Sequence, residues 1–430
     1  MEFETFNLTD LYTISSGLSK NRKYFGTGTP FLTFKDVFDN LILPNEFSGQ
    51  VITEEKEREK YSVKKGDLFL TRTSEKQNEL GISAVALKDY KNATFNGFTK
   101  RLRPNKYCEN KLLPVYAAFY FRSNNFRNQV NSMSIMSTRA SLNNEMISKL
   151  KITIPSLQNQ MKISHILLAL LKKEKINQKI IANLEELSKT LFKRWFVDFE
   201  FPDENGNPYK SSGGEMVDSE LGKIPKGWEC VYLKDIVHHK KDTFNPKKSN
   251  ESEVKHFSLP AFDSGQYPTI DNVTDIKSNK WIIDENCILF SKMNPTTRRI
   301  WVTSYNENFL NVASSEFVVL KSDNSYRNAF IYNICISDKF NEYLVSNTTG
   351  STNSRQRVKP DIAVQYRFAY NEEVSYLLSE KIEPYIQKIK IIREQNQNLT
   401  QLRDTLLPKL MSGEIEIPDD IEVNEDELSI

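Results

Sequence analysis

At 430 residues the chain is too long for one ordinary hydrophobic core, and 39% hydrophobic with 11% aromatic residues is enough to build two. Nothing in it reads as a membrane span: the apolar run Ile166–Leu171 is far too short, and Met1-Glu2-Phe3-Glu4 lacks the basic-then-apolar order of a signal peptide. The net charge of +2 conceals a split, because residues 414–430 hold eight acidic and no basic side chains, which leaves 58 basic against 48 acidic in the body, a surplus that suits a polyanionic partner.

In chain order, the first feature is the stretch Asp67–Arg72, an apolar run that ends in a hydroxyl and a cation. Such a pattern is expected for a buried strand opening into a polar loop. Leu68, Leu70, Thr71 and Arg72 correspond to Ile288, Phe290, Ser291 and Lys292 at a shift of 220. Arg139, Leu142 and Met146 correspond to Arg355, Val358 and Ile362 at a shift of 216, and Asn183–Leu187 to Asn398–Leu402 at 215. The chain is therefore written twice with a period near half its length, and a shift that grows toward the start of each half is expected if loop lengths differ.

Residues 158–195 contain no Gly or Pro and are expected to form one helix, about 57 Å long at 1.5 Å per residue. Stepping by seven gives the row Ile163, Leu170, Asn177, Leu184 and Leu191. The repeat carries it to Leu378, Tyr385, Ile392, Leu399 and Leu406, with a second seam at Ile382, Ile389 and Asn396. Each helix thus has one Asn in an apolar seam, a residue that fixes register at a cost in stability. An antiparallel coiled coil is the expected pairing, with separate amphipathic helices in globular cores as the alternative. Pro384 is expected to kink or restart the second helix.

Catalytic motifs are absent from the sequence. It has no GxxxxGK[ST] loop, no GxSxG elbow and no HExxH pair, and Gly26-Thr27-Gly28 is followed by Pro30 where a dinucleotide fingerprint would need a helix. Asn294-Pro295-Thr296-Thr297 and Asn245-Pro246-Lys247-Lys248 lack the second proline and the aromatic of an adenine-methyltransferase signature. Of the histidines His165, His238, His239 and His256, the pair His238-His239 could be a metal fragment but has no spaced Cys or carboxylate partner, and His165 is expected on the surface of the first helix. Cys108, Cys230, Cys287 and Cys335 form no CxxC pair, which excludes a zinc ribbon and fits a reducing cytoplasm. No cofactor or metal is expected on the chain itself.

Nucleic-acid binding requires Arg and Lys for phosphates, together with Arg, Lys, Asn, Gln, Ser or Thr for base edges. Four polar clusters at repeat-related places qualify: Thr71–Lys76, Ser137–Arg139, Lys292–Arg299 and Ser354–Lys359. The candidate DNA-binding residues are Arg72, Thr73, Arg139, Lys292, Arg298, Arg299, Arg355 and Arg357. Lys100, Arg101 and Arg103 rank below them because they sit within an expected strand.

The junction Leu191-Phe192-Lys193-Arg194-Trp195-Phe196-Val197-Asp198-Phe199-Glu200-Phe201-Pro202, continued through Ser211–Met216 to Leu221–Trp228, resembles that of Type I restriction-modification DNA specificity subunits. The ending Leu406-Leu407-Pro408-Lys409-Leu410-Met411-Ser412-Gly413-Glu414-Ile415 is similar to the same family's close. The resemblance runs essentially end to end and implies a mixed α/β fold: two similar α/β target-recognition domains separated by two long antiparallel coiled-coil helices, in a pseudo-twofold internal repeat. The expected boundaries are 1–155 and 199–369 for the recognition domains, 156–198 and 370–413 for the helices, and 414–430 for an acidic tail without an assigned role.

The resemblance further implies a non-catalytic, cytoplasmic subunit with no membrane partner. It would bind a split double-stranded DNA site and dock two methyltransferase (modification) subunits and two motor/endonuclease (restriction) subunits. S-adenosylmethionine, ATP and magnesium are expected on those partners. Ile163, Leu170, Leu184, Leu191, Leu378, Ile392, Leu399 and Leu406 are the expected spacer and partner-binding positions. Two other readings stay open: a coiled-coil scaffold joining two protein-binding domains, and an enzyme with a degenerate motif.

Overall fold

The computed structural model describes residues 1–74, 79–133, 140–239, 242–285, 287–305, 307–322, 325–350, 356–418, 421 and 423. The fold is mixed α/β and divides into two compact units. Unit 1 is Met1–Lys173 with Leu399–Ile430, and unit 2 is Glu174–Asn398, so both boundaries fall inside long helices.

Unit 1 is built on an antiparallel sheet in the order Tyr12–Ser16, Thr99–Pro104, Leu68–Thr71, Ser83–Val85. Leu68–Thr71 is buried throughout because both faces of the sheet are covered. Leu68 and Leu70 enter a core with Tyr116 and Phe121, and Phe69 points the other way among Leu32, Ala84 and Phe95. Unit 2 repeats this arrangement with the order His238–His239, Phe317–Lys321, Ile288–Ser291, Ile300–Val302, again antiparallel. Ile288 and Phe290 take one core and Leu289 the other, with Phe257, Trp301 and Phe317.

A two-stranded pairing also recurs, Phe3–Asn7 with Lys151–Pro155 and Glu229–Tyr232 with Arg367–Tyr370. The remaining sheets differ. In unit 1 it has four strands around Phe25–Leu32 and Tyr90–Phe95, and in unit 2 five strands around Leu310–Ser314 and Glu253–Phe257. The two units thus share a central frame and differ in what is added to it.

The long helices run Leu157–Phe196, 40 residues, and Glu372–Ser412, 41 residues. The second continues through Pro384 without the restart expected from sequence. Pro384 lies on the exposed side of the helix, as does Glu380, whose carbonyl loses its i+4 donor there, so water can satisfy that group. Gly413 closes the helix at φ +76, the left-handed geometry of a C-terminal cap; a Cβ on it would stand 2.7 Å from the Phe3 ring. No helix among the described residues is long and apolar enough to cross a membrane.

Within unit 2 the two seam asparagines meet: Asn177 Nδ2 donates to Asn396 Oδ1 at 2.8 Å, both side chains buried. Removing one partner strands the other's amide away from water. Asn177→Ala is therefore expected to cost about 1–3 kcal/mol, measured as a lower denaturation midpoint, and replacing both with leucine should recover most of that loss. Of the seam residues, Ile163, Leu378 and Ile392 are fully buried, and Leu170, Leu184, Leu191, Leu399 and Leu406 are half-buried. The exposed apolar side chains on these helices are others, notably Ile176, Leu187, Ile391 and Leu402.

Candidate nucleic-acid interface

In unit 1 the buried strand Leu68–Thr71 emerges at Arg72, and three segments converge there. The Arg72 N–H donates to the Phe98 carbonyl and the Leu142 N–H to the Arg72 carbonyl, both at 2.8 Å. Thr73 and Ser74 then pair with Ser141 and Ala140. The backbone of this corner is fixed on both sides, whereas the Arg72 side chain is not. Among the described residues its Nη1 reaches only the Gly97 carbonyl, at 3.5 Å, and its buried Nε has no hydrogen-bond partner.

Beside it lies buried Lys100, whose Nζ donates to Ser16 Oγ at 2.9 Å and Asn144 Oδ1 at 2.8 Å. Burial, and secondarily the charge of Arg72, pushes the Lys100 pKa below its ordinary value. Two neighbouring cations with only neutral acceptors among the described residues form a place where an anion is stabilised.

The adjoining turn projects Phe98, 65% exposed, while its N–H donates to Asn96 Oδ1 at 2.9 Å. The turn is held against residues 17–19, and a Cβ on Gly17 would lie 2.0 Å from the Asn96 carbonyl oxygen. An exposed aromatic on a rigid turn next to unpaired cations has the composition of a surface that meets bases and phosphates together.

The same corner recurs in unit 2, hydrogen bond for hydrogen bond. The Lys292 N–H donates to the Glu316 carbonyl and the Val358 N–H to the Lys292 carbonyl, both at 3.0 Å. Lys292 is half-buried and has no ion pair with a described residue. The described candidate arginines of this half are engaged. Arg357 pairs with Glu316 at 3.1 Å, and Arg299 makes a two-pronged pair with Asp263 at 2.7 and 2.9 Å. Arg298 lies 2.7 Å from Asp338, which also meets Lys189 of the first long helix at 3.3 Å. The Arg298 hydrogen bond is foremost in holding the Asp338 carboxyl below its usual range.

Arg139 and Arg355 lie outside the described residues, as do Ser137, Thr138, Ser354, Glu75 and Lys76. Arg101 and Arg103 are tied into the framework: Arg101 donates to the Ser62 carbonyl at 2.7 Å, and Arg103 grips buried Asp67 at 2.6 and 2.7 Å. Among the described residues no group of three or more His, Cys, Asp or Glu could hold a metal ion.

Residues 1–186, which contain the whole first corner, match the family model of the Type I restriction modification DNA specificity domain. Over that stretch the chain carries a match to a Type I restriction modification DNA specificity domain, and over nearly its whole length it is similar to specificity subunits. It is 24% identical to the Type I restriction enzyme MjaIX specificity subunit of Methanocaldococcus jannaschii, over 97% of this chain and 94% of the relative. It is 23% identical to the Type I restriction enzyme HindI specificity subunit of Haemophilus influenzae, over 90% and 94%. In fold it is similar to the Type I restriction-modification S subunit from M. genitalium, with a TM-score of 0.56 at 12% identity over 98% of this chain and 97% of that one.

The family model stops short of the second corner, which is tied to the first by the internal repeat. Sequence reasoning missed Phe98 and the pairing of Lys100 with Arg72. Phe98 aligns with Glu316 in the second corner, a chemical mismatch that hides their common place. The carboxylate partners of Arg298, Arg299 and Arg357 stand 36 to 41 residues away along the chain, a separation no local pattern reveals.

Proposed function

We propose that this chain reads a bipartite, asymmetric double-stranded DNA site, one half with the Arg72 corner and the other with the Lys292 corner. The observation that carries this reading is the corner built twice: one frame, the same two backbone hydrogen bonds, a cation at the same place, and different side chains around it. The match of residues 1–186 to the Type I restriction modification DNA specificity domain supports a role in DNA sequence specificity. Phosphate contacts would supply most of the affinity and base-edge contacts the choice of sequence.

The long helices would pair as an antiparallel coiled coil that sets the gap between half-sites, a reading supported by the Asn177–Asn396 bond in their seam. Their exposed apolar residues Ile176, Leu187, Ile391 and Leu402 are suited to docking two methyltransferase subunits, with two motor/endonuclease subunits completing the assembly. Catalysis would lie with those partners, which would carry S-adenosylmethionine, ATP and magnesium.

The scaffold alternative shares the helices but needs no DNA. Anisotropy titrations of a labelled duplex separate the two. The present reading predicts affinity that falls roughly 1,000-fold or more between about 50 and 200 mM salt. A protein that never binds duplex, alone or with its methyltransferase subunit, contradicts it.

A further inference from the structure

Unit 2 contains a cavity of about 270 Å³ between the sheet strand Glu253–Phe257 and the second long helix, lined among others by Lys255, Trp301, Lys390, Arg393, Glu394 and Gln397. Three cations against one carboxylate make its wall basic. Arg393 is only 5% exposed; its Nη2 donates to Glu185 Oε1 at 3.0 Å, and its Nε and Nη1 have no hydrogen-bond partner among the described residues. Leaving two buried guanidinium N–H groups unmet is costly unless something occupies them. Lys255 Nζ reaches one acceptor, the Ser304 carbonyl at 3.2 Å, which leaves ammonium hydrogens unspent. Burial pushes the Lys255 and Lys390 ammonium groups below their ordinary values, against the pull of Glu394 on the first and of Glu383 and Glu285 on the second, as expected where a counter-anion would be welcome.

We propose that this cavity binds a phosphate oxyanion, held by the Arg393 guanidinium and the Lys255 ammonium against the wall formed by Trp301. A planar guanidinium with unmet N–H donors gives such an anion charge and directed hydrogen bonds, and a nearby ammonium adds charge without demanding a fixed direction. The cavity exceeds the size of one oxyanion, so the phosphate can be the free ion or one carried on a polymer backbone.

The test is a titration of the full chain with sodium phosphate and, at matched ionic strength and pH, sodium chloride, following tryptophan fluorescence and the thermal midpoint. Phosphate is expected to give a saturable response at low millimolar concentration on top of the gradual stabilisation that excluded salts give any protein. That saturable part should be lost in Lys255→Gln, with Lys390→Gln as the second variant should the first fail to fold. Repeating the titration with saturating duplex identifies the source: a response abolished by duplex means a DNA backbone phosphate fills the cavity, and a response that persists means a free ion does. Superposable phosphate and chloride curves, or a saturable response unchanged in both variants, overturn the proposal.

Discussion

Arg72→Ala is expected to relax sequence choice in one half of the DNA site while leaving the other half intact. Its backbone is locked by two 2.8 Å hydrogen bonds that the substitution keeps, and among the described residues its side chain makes only one long bond. The loss should therefore fall on binding and spare folding. If Arg72 meets a base edge in two-pronged fashion, truncation costs about 1–3 kcal/mol, or roughly 5- to 150-fold in affinity, and only for duplexes carrying the correct base. Competition against a panel of single-base-substituted duplexes at fixed salt measures this directly. An equal loss on every duplex, with a shallower salt dependence, would make Arg72 a phosphate contact instead. Arg298→Ala serves as the contrast, because Arg298 is already committed to Asp338 and its loss should leave base preference unchanged.

The largest effect on stability is expected at Glu185. One oxygen of this carboxylate accepts from Tyr332 and from Arg393, each at 3.0 Å, and so joins the first long helix to the second and to the Ser325–Ile336 helix. Burial, reinforced by the Glu185 charge, pushes the Tyr332 hydroxyl far above its ordinary range, so it stays a donor. In Glu185→Ala the buried Arg393 guanidinium loses its only hydrogen-bonded carboxylate among the described residues. Stranding one member of such a pair costs about 3 kcal/mol here, the low end of the usual range because the Glu185 side chain is 33% exposed.

All four tryptophans, Trp195, Trp228, Trp281 and Trp301, lie within Glu174–Asn398, so urea unfolding followed by tryptophan fluorescence in phosphate-free buffer reports on unit 2 alone. Glu185→Gln, which keeps an acceptor and loses the charge, should cost less. An unchanged midpoint in Glu185→Ala would show that the network contributes nothing to stability.

Both corners were legible in the sequence for a physical reason. A strand covered on both faces must be continuously apolar, and Leu68–Thr71 and Ile288–Ser291 announce themselves by that run and by the cation after it. The long helices were legible from the absence of Gly and Pro in the first and from the seven-residue row. The restart expected at Pro384 does not occur, because its consequence depends on which side of the helix faces water, and a heptad row does not give that side. The carboxylate partners of the second-half arginines stayed hidden for a similar reason. Whether an arginine is available to a ligand depends on carboxylates brought to it by tertiary structure, and Asp263, Glu316 and Asp338 reach theirs only in the fold. Phe98 gave no signal, since one exposed aromatic is unremarkable until its neighbours are known.

The central claim, that this chain chooses where a partner acts on DNA, is tested most directly by a methylation map. The chain would be expressed with its cognate methyltransferase subunit in a host lacking adenine methylation, and single DNA molecules sequenced. The account predicts one split motif with a fixed gap, methylated on both strands, and a changed gap when four residues, about one turn, are deleted from the first long helix. Co-purified subunits that produce no new methylation would contradict the claim, and an unchanged gap after the deletion would contradict the role given to the helices.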